Sequence, residues 1–255
     1  MALEIVQVPA FTDNYLYLLR DRASGAVAAV DPGDAAPIQA ALAARGWTLT
    51  HILATHHHPD HVGGVLTLKE ASGCTVIGSK DDVDRIPGLD VAVGDGDTVA
   101  LGESTAQVFD VAGHTRAHIA YWFAADNALF CGDTLFSLGC GRLFEGTPER
   151  MWKSLSTLRD LPDDTRIFCA HEYTSANADF ALTVEPENQA LQARADEIVT
   201  LREAGKPTVP SLLGAEKAAN PFLRADDPGL QAAIGMVGAA PEAVFAEVRQ
   251  RKDNF

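Results

Sequence analysis

The sequence predicts an α/β domain over residues 1–172, followed by a small α-helical domain over residues 173–255. Up to about residue 172, short apolar segments of strand length alternate with turns that contain Gly, Asp and Pro. Beyond that point, apolar residues recur at helical spacing in two stretches, Pro186–Ala204 and Pro241–Lys252. The chain has 255 residues, of which 47% are hydrophobic, and this allows one large domain with a small appendage.

Turn and capping residues delimit the predicted elements. A loop that contains Gly25 joins two strands of a hairpin, the first helix ends at Gly46, and a later helix begins with Thr147 as its N-cap. The predicted elements of the first domain are a hairpin of Tyr15–Leu19 and Ala26–Val30, helices Pro37–Ala44, Val62–Ala71 and Pro148–Arg159, and strands His51–Ala54, Thr75–Ile77, Gln107–Val111, Ile119–Phe123, Ala128–Cys131 and Arg166–Cys169. In the second domain, Pro and Gly interrupt Thr208–Pro228, and we expect irregular structure there.

Charge and hydropathy limit the classes of partner. The formal net charge is −15, so most of the surface repels polyanions and we expect no nucleic-acid partner. No apolar segment has the length of a transmembrane helix, and the first residues do not resemble a signal peptide, so we expect no membrane partner. The four cysteines lack CxxC spacing, which fits reduced thiols. We therefore expect a cytoplasmic protein, and we take it to be a monomer.

A dense group of metal-ligand residue types follows one of the predicted strands. His56, His58, Asp60 and His61 lie within six residues. On an extended segment His56 and His58 point the same way, and Pro59 then turns the chain. A lone HxH is usually part of a solvated loop, but four ligands this close repel one another unless a cation binds them. Imidazole and carboxylate together suit zinc or a similar divalent ion, so the segment predicts a metal site.

Three further residues stand in the same context, each just after an apolar strand. They are His114, Asp133 and His171. Each one alone fits a structural polar residue at a strand end at least as well. Because side chains at the starts of such loops can converge at one sheet edge, the repeated context indicates additional metal ligands.

The HxHxDH motif with a later His, a later Asp and a final His resembles the metallo-β-lactamase superfamily. The resemblance implies a four-layered αββα sandwich with two divalent metal ions at one edge, zinc first, with iron or manganese possible. It implies a first metal bound by His56, His58 and His114, a second bound by Asp60, His61 and His171, and Asp133 as the bridge between them. Asp31, in the run Val-Asp-Pro-Gly, matches a position that supports the site, although a turn-forming role fits it equally well.

A closer resemblance extends over the whole chain. The sequence is similar to the glyoxalase II family, whose segments are matched by FTDNY at 11–15, GDTLF at 132–136, GCGR at 139–142, HEYT at 171–174, PEN at 186–188, NPFLR at 220–224 and RKDNF at 251–255. The resemblance implies hydrolysis of S-(2-hydroxyacyl)glutathione thioesters, such as S-D-lactoylglutathione, to glutathione and a 2-hydroxy acid in methylglyoxal detoxification. The partner is then a small-molecule glutathione thioester.

The resemblance also implies how the substrate is bound. The family's glutathione contacts map to Arg142, Tyr173, Arg249 and Lys252, while Phe144 stands where relatives often carry Tyr. Arg249 and Lys252 share a helix face, and we expect both cations to be free to reach the substrate. Without the resemblance, these two residues fit ordinary cations at a helix end better than they fit substrate contacts.

The chemistry implied by two metal ions needs no Ser or Cys nucleophile. A hydroxide that bridges the ions near neutral pH would attack the thioester carbonyl, with Asp60 and Asp133 as the catalytic carboxylates. Alternatives are another hydrolase of the superfamily (a lactonase, a β-lactamase or an RNA-processing nuclease), a persulfide dioxygenase with one iron, and a non-catalytic metal-binding or redox-sensing protein. The acidic charge disfavours the nuclease, the helical C-terminal part disfavours the β-lactamase, and the complete ligand set disfavours the last two.

Overall fold

The computed structural model describes residues 2–255, which form two compact units. The first unit contains the described residues up to Asp110 together with Ala117–Gly132. The second contains Val111–Arg116 and Asp133–Phe255. The two units are therefore interleaved along the chain.

A mixed six-stranded sheet in the first unit has its strands in sequence order. Its strands are β1 (Leu3–Ala10), β2 (Asn14–Asp21), β3 (Val27–Val30), β4 (His51–Leu53), β5 (Thr75–Ser79) and β6 (Val91–Val93). The first three strands are antiparallel, and β3 to β6 are parallel. The predicted hairpin is confirmed, because Tyr17 pairs with Val30 across β2 and β3. Strand β1 was not predicted, since most of its residues are half-buried and it lacks a clear alternation.

The second group of strands in this unit is antiparallel throughout. It consists of β7 (Thr98–Leu101), β8 (Ser104–Asp110), β9 (Ile119–Phe123) and β10 (Ala128–Gly132). The hydroxyl of the buried Tyr121 on β9 lies within hydrogen-bond distance of two carbonyls of the first sheet region, 3.0 Å from Ala54 O and 3.3 Å from Ile77 O. The two groups of strands therefore face each other, with the β9 side chain pointing between them.

Three helices complete the first unit, namely α1 (Ala35–Arg45), α2 (Pro59–Val62) and α3 (Val65–Ser72). Helix α1 begins at Asp34, which accepts a hydrogen bond from Ala36 N, and it ends at Gly46, as predicted. The single helix predicted over Val62–Ala71 is interrupted before Val65. The interruption places Gly64 so close to the preceding loop that a Cβ there would lie 2.6 Å from Pro32 O.

The second unit is mainly helical. It contains the hairpin β11 (Leu135–Phe136) and β12 (Gly139–Cys140), the strands β13 (Arg166–Cys169) and β14 (Ser211–Leu212), and the helices α4 (Pro148–Arg159), α5 (Thr174–Val184), α6 (Gln189–Glu203), α7 (Leu213–Ala219), α8 (Pro228–Ile234) and α9 (Pro241–Asp253). The predicted start of α4 is confirmed, because Thr147 caps Arg150 N. Helix α6 begins three residues later than predicted, because Asn188 caps it by accepting from Leu191 N.

The prediction of irregular structure over Thr208–Pro228 is wrong for part of that segment. Helix α7 lies within it, followed by a short 3-10 turn at Pro221–Leu223. Leu213 and Glu216 on this helix are buried, so tertiary contacts contribute to its stability. Helices α5 and α8 were also not predicted.

A buried carboxylate ties the β2–β3 turn to the β7–β8 turn within the first unit. Asp21 accepts hydrogen bonds from Ser24 Oγ at 2.6 Å, Glu103 N at 2.9 Å and Ser104 Oγ at 3.2 Å. The Ser24 hydroxyl, followed by the Glu103 N–H, lowers the pKa of the Asp21 carboxyl from 3.8 to about 2. The ionised form is therefore favoured by folding.

We expect Asp21→Asn to lower the free energy of unfolding at neutral pH by about 1.5–3 kcal/mol, the usual contribution of hydrogen bonds to a charged group. Because the folded-state pKa is depressed, this contribution is present above about pH 4 and is lost as the pH falls through 2. Urea unfolding between pH 7 and pH 2 measures it. Asp84→Asn, at an exposed position, serves as the control. If the free energy of unfolding had the same pH dependence in both variants, Asp21 would not be the group with the lowered pKa.

Candidate metal centre

The HxHxDH segment follows β4 and is held by a carboxylate that follows the neighbouring parallel strand β3. Asp31 Oδ1 accepts from Thr55 N, and Asp31 Oδ2 accepts from Thr55 Oγ1, both at 2.7 Å. Asp31 has a φ of 47°, a conformation that Asp tolerates better than most residues. Parallel strands thus bring both loop starts to one sheet edge.

The partners of His56 fix the position of its proton. The Thr55 hydroxyl donates to Asp31, so Thr55 Oγ1 is the acceptor for His56 Nδ1, which lies 3.1 Å away. With the proton on Nδ1, the Nε2 atom of a neutral His56 carries a free electron pair, which is the form that binds a metal. This Nε2 lies 3.1 Å from His58 Nδ1, so two ligand atoms are adjacent. The buried His118 ring stacks on the His56 ring, with centroids 4.5 Å apart.

The hydrogen-bond partner of His61 likewise determines which ring nitrogen carries the proton. Its Nδ1 lies 3.1 Å from Asp31 Oδ2, and a carboxylate only accepts, so the proton is on Nδ1. Its Nε2 electron pair then lies 3.6 Å from Asp60 Oδ2, which also accepts from Asn14 Nδ2 at 3.0 Å. A proton or a metal ion between Nε2 and the carboxylate oxygen relieves their repulsion, and the grouping of Asp60 and His61 with His171 fits a metal site.

His57 points elsewhere, as its alternation along the segment predicts. Its Nδ1 lies 3.0 Å from Oδ2 of the buried Asp82, and its Nε2 lies 3.1 Å from Arg85 Nη1. Arg85 also pairs with Asp82. These contacts anchor the ligand segment from the side opposite to the ligand atoms. Asp82 and Arg85 were not predicted, because they belong to a charged run that resembles ordinary solvated surface.

The second unit carries the other three predicted ligands, and they lie together. Asp133 Oδ2 is 3.4 Å from His114 Nε2, and Asp133 Oδ1 is 3.4 Å from His171 Nε2. His114 Nδ1 lies 2.8 Å from the carbonyl oxygen of Arg142, so the proton is on Nδ1 and the Nε2 electron pair faces the carboxylate. All three side chains are buried. The two oxygens of Asp133 thus face two different imidazoles.

Two glycines allow the close approaches that this arrangement requires. Gly132 has a φ of 48°, and a Cβ there would lie 2.3 Å from Thr55 Oγ1. A Cβ at Gly141 would lie 2.0 Å from the backbone oxygen of Asp133 and 3.0 Å from His114 Nδ1. Any larger residue at either position displaces a ligand or its hydrogen-bond partner.

All seven predicted ligands belong to groups of His and Asp side chains whose ligand atoms could hold a metal ion. Asp31 is in such a group as well, with His56 and His61. The donor set contains nitrogen and oxygen atoms, and it suits zinc, iron or manganese. The cysteines of this region are unsuitable as nucleophiles, since burial raises the pKa of Cys140 to about 11 and that of Cys169 to about 12.

The predicted substrate contacts differ in their surroundings. The Tyr173 ring is 40% exposed and stacks on the His171 ring, with centroids 4.6 Å apart and planes 4° apart. Arg142 is exposed, and its backbone oxygen is the one that accepts from His114. The exposed Phe144 ring lies 5.2 Å from the His114 ring.

The two cations of α9 are less free than expected. Arg249 is buried and donates to Cys140 O at 3.1 Å, and it pairs with Asp253 at 2.8 Å. Packing of α9 explains why Arg249 is buried. Val248 and its apolar neighbours on this helix are buried, and Arg249 is buried with them. Lys252 is half-buried and donates to the Ala176 carbonyl at 2.6 Å.

The three predicted cations are nevertheless close enough to influence one another. Burial lowers the pKa of Lys252, and the charges of Arg249 and Arg142 lower it further, whereas Asp179 raises it. Three cations are therefore grouped in this part of the second unit, in a chain whose net charge is −15.

No helix within residues 2–255 combines the length and the apolar character that crossing a bilayer would require.

Models of two protein families together match nearly the whole chain. The metallo-β-lactamase superfamily model matches residues 12–171, and the model of the hydroxyacylglutathione hydrolase C-terminus matches residues 172–255. Curated relatives named hydroxyacylglutathione hydrolase include one from Methylococcus capsulatus, 58% identical over 99% of both chains, and one from Rhodospirillum rubrum, 56% identical over 99% of both chains. A third, from Ruegeria pomeroyi, is 54% identical over 100% of both chains.

Solved structures with the same fold are more distant in sequence. The crystal structure of ETHE1 from Myxococcus xanthus is 24% identical, covers 100% of both chains and has a TM-score of 0.68. That of TTHA1623 in a di-iron-bound form is 24% identical, covers 85% of this chain and 98% of the other, and has a TM-score of 0.60. The predicted αββα fold with a C-terminal helical part is therefore confirmed. From the two family models and the full-length relatives, the chain belongs to the hydroxyacylglutathione hydrolase family of the metallo-β-lactamase superfamily.

Proposed function

We propose that the chain hydrolyses S-(2-hydroxyacyl)glutathione thioesters, such as S-D-lactoylglutathione, to glutathione and the 2-hydroxy acid. In a cell this reaction would complete the detoxification of methylglyoxal. The observation that carries the proposal is the placement of Asp133, whose two carboxylate oxygens each lie 3.4 Å from a different imidazole Nε2. The full-length relatives named for this activity support the choice of substrate.

The seven ligands of the two units would bind one pair of divalent ions, with zinc the first candidate and iron or manganese as alternatives. One ion would be held by His56, His58 and His114, the other by Asp60, His61 and His171, and both by Asp133. The Nδ1 contacts of His61 and His114 support this assignment, because they leave the Nε2 atoms of both rings facing carboxylate oxygens. When bound, such ions acidify water and polarise a thioester carbonyl.

The protein's own residues orient the reacting groups. Asn14 Nδ2 donates to Asp60 Oδ2, so the Asp60 carboxylate is held in place to accept a proton from the attacking water. Water adds to the carbonyl carbon, the carbon–sulfur bond breaks, and the sulfur leaves as the thiolate of glutathione. Tyr173, stacked on His171, would contact the substrate beside the ligands.

The positive region of the second unit would bind the anionic peptide of glutathione. Arg142 and Lys252 are the accessible cations, and Arg249 adds to their potential from a buried position. We propose residues 1–172 as the catalytic domain and 173–255 as the substrate-binding domain. The two family models, which meet at residues 171 and 172, support this division. The monomeric state and the cytoplasmic location stay predictions.

Asp133→Asn should abolish activity and weaken both metal positions, because a neutral amide bridges two cations poorly. Elemental analysis of zinc-reconstituted protein should give about two ions per chain for the unmodified protein and fewer for the variant. The exposed ion-paired Asp163→Asn is the control. Two retained ions with normal turnover in Asp133→Asn would show that Asp133 is not the bridge.

Asp31→Asn should weaken zinc binding roughly 10- to 100-fold, the usual effect of losing a partner that orients a metal ligand. Asn adopts positive φ as readily as Asp, but its NH₂ group must face either Thr55 N–H, or both Thr55 Oγ1 and His61 Nδ1. Competition with a chromophoric chelator measures the affinity. Asp34→Asn, which preserves the cap of α1, is the matched variant. Equal zinc affinities in the two variants would show that Asp31 does not orient the metal ligands.

Lys252→Ala should reduce kcat/KM for a glutathione thioester roughly ten- to a hundred-fold, mainly through KM, since one charge-assisted contact contributes about 1.5–3 kcal/mol. A short neutral thioester that lacks the peptide should be hydrolysed as before. The neighbouring Arg251→Ala is the control, because Arg251 pairs with Glu247 instead. Equal losses of kcat/KM for both substrates would show that Lys252 does not bind the glutathione peptide and is an ordinary cation at the end of α9.

A further inference from the structure

The loop that joins Asp133 to Arg142 contains a turn that is held in an unfavourable conformation. This turn, at Ser137 and Leu138, connects β11 and β12. Leu138 has a φ of 56° although it is not a glycine, and its side chain is fully buried. Such a conformation costs free energy and persists only where surrounding groups enforce it. The neighbours of this turn therefore determine where the loop lies.

A carboxylate on α7 provides the main contacts. Glu216 Oε1 accepts from Ser137 Oγ at 2.8 Å, and Glu216 Oε2 accepts from Leu138 N at 2.7 Å. Glu216 is 1% exposed, and burial raises its pKa, while the hydrogen bond from Leu138 N lowers it. A charged group is costly to bury, and two of the donors that offset this cost, Ser137 Oγ and Leu138 N, lie on the loop.

Two amide side chains complete what we call the hairpin clasp, defined as Glu216, Asn220 and Asn177. Asn220 Nδ2 lies 3.1 Å from each of three acceptors, Glu216 Oε2, Phe136 O and Gly139 O. Asn177 Nδ2 donates to Ser137 O at 3.1 Å. Asn220 is fully buried and Asn177 nearly so. The helices therefore satisfy the backbone groups that the turn leaves without strand partners.

The hairpin between β11 and β12 is linked by backbone contacts to two of the predicted ligands, Asp133 and His114. Gly141 N donates to Thr134 O at 3.2 Å, and the missing Cβ of Gly141 allows its backbone to approach Asp133 O. The next carbonyl, that of Arg142, accepts from His114 Nδ1 and so fixes that ring. A shift of the hairpin by a few tenths of an ångström would move both the Asp133 backbone and the acceptor of His114.

We propose that Glu216 is a positioning residue for Asp133 and His114, and that it acts through the hairpin between Asp133 and Arg142. The identity of those two residues as metal ligands is part of the proposed function, on which this inference rests. Helix α7 thus serves the metal centre as well as the packing of the helical segment.

The test compares Glu216→Gln with Glu185→Gln. Glu185 is the matched control because it is also buried in the second unit, its pKa is also raised by burial, and it pairs with Arg224 rather than with the hairpin. In Glu216→Gln, the carboxylate loses its charge and one of its two acceptor oxygens, so its hydrogen bonds to the hairpin are weakened. We expect hydrogen exchange of the Leu138 amide in metal-free protein to be at least tenfold faster in Glu216→Gln and unchanged in Glu185→Gln.

Zinc affinity, measured by competition with a chelator, provides the second measurement. We expect it to fall about tenfold further in Glu216→Gln than in Glu185→Gln, within the range for residues that orient a ligand. Unchanged exchange at Leu138, or equal zinc affinities in the two variants, would overturn the proposal. If Glu216→Gln does not fold, Ser137→Ala removes one bond of the clasp and should change both measurements in the same direction. Neither measurement uses a thioester, so a wild-type protein inactive on glutathione thioesters would contradict the proposed function separately.

Discussion

The candidate metal centre depends on where the protons of its histidines are held. Asp31 and the Arg142 carbonyl can only accept hydrogen bonds, so they keep the Nδ1 protons on His61 and His114. The Nε2 electron pairs of these rings then face carboxylate oxygens, which is unfavourable without a cation. The close glycine contacts around the ligands restrict where these side chains can lie, so the fold itself sets the ligand positions.

The ligand chemistry could be predicted from the sequence because its signals are local. His56 and His58 alternate on one extended segment, Asp133 directly follows β10, and His171 lies two residues after the end of β13. Turn and capping residues also predicted the end of α1 at Gly46 and the start of α4 at Thr147. These features depend on residues that are neighbours in the chain, and one sequence contains that information in full.

The supporting residues could not be predicted, because their partners are distant in the chain. Asp82 contacts His57, and Glu216 contacts Ser137, but each of the two acids resembles an ordinary solvated charge when it is read in sequence. Arg249 illustrates the converse error. Its helical position suggested a free cation, whereas tertiary packing buries it against the carbonyl of Cys140. Burial of a polar residue is a property of the assembled fold, and local patterns do not report it.

The hairpin clasp has a consequence for how such chains can be recombined. The hairpin at 135–140 lies inside the segment 12–171 that matches the superfamily model, but Glu216 and Asn220, which hold it, lie inside 172–255. A chimera that joins two relatives at residue 171 would separate the turn from its clasp. If the two relatives differ at these contacts, the hairpin of one would not fit the clasp of the other, even if each half folds well. A functional chimera would therefore take the hairpin and the C-terminal segment from the same relative.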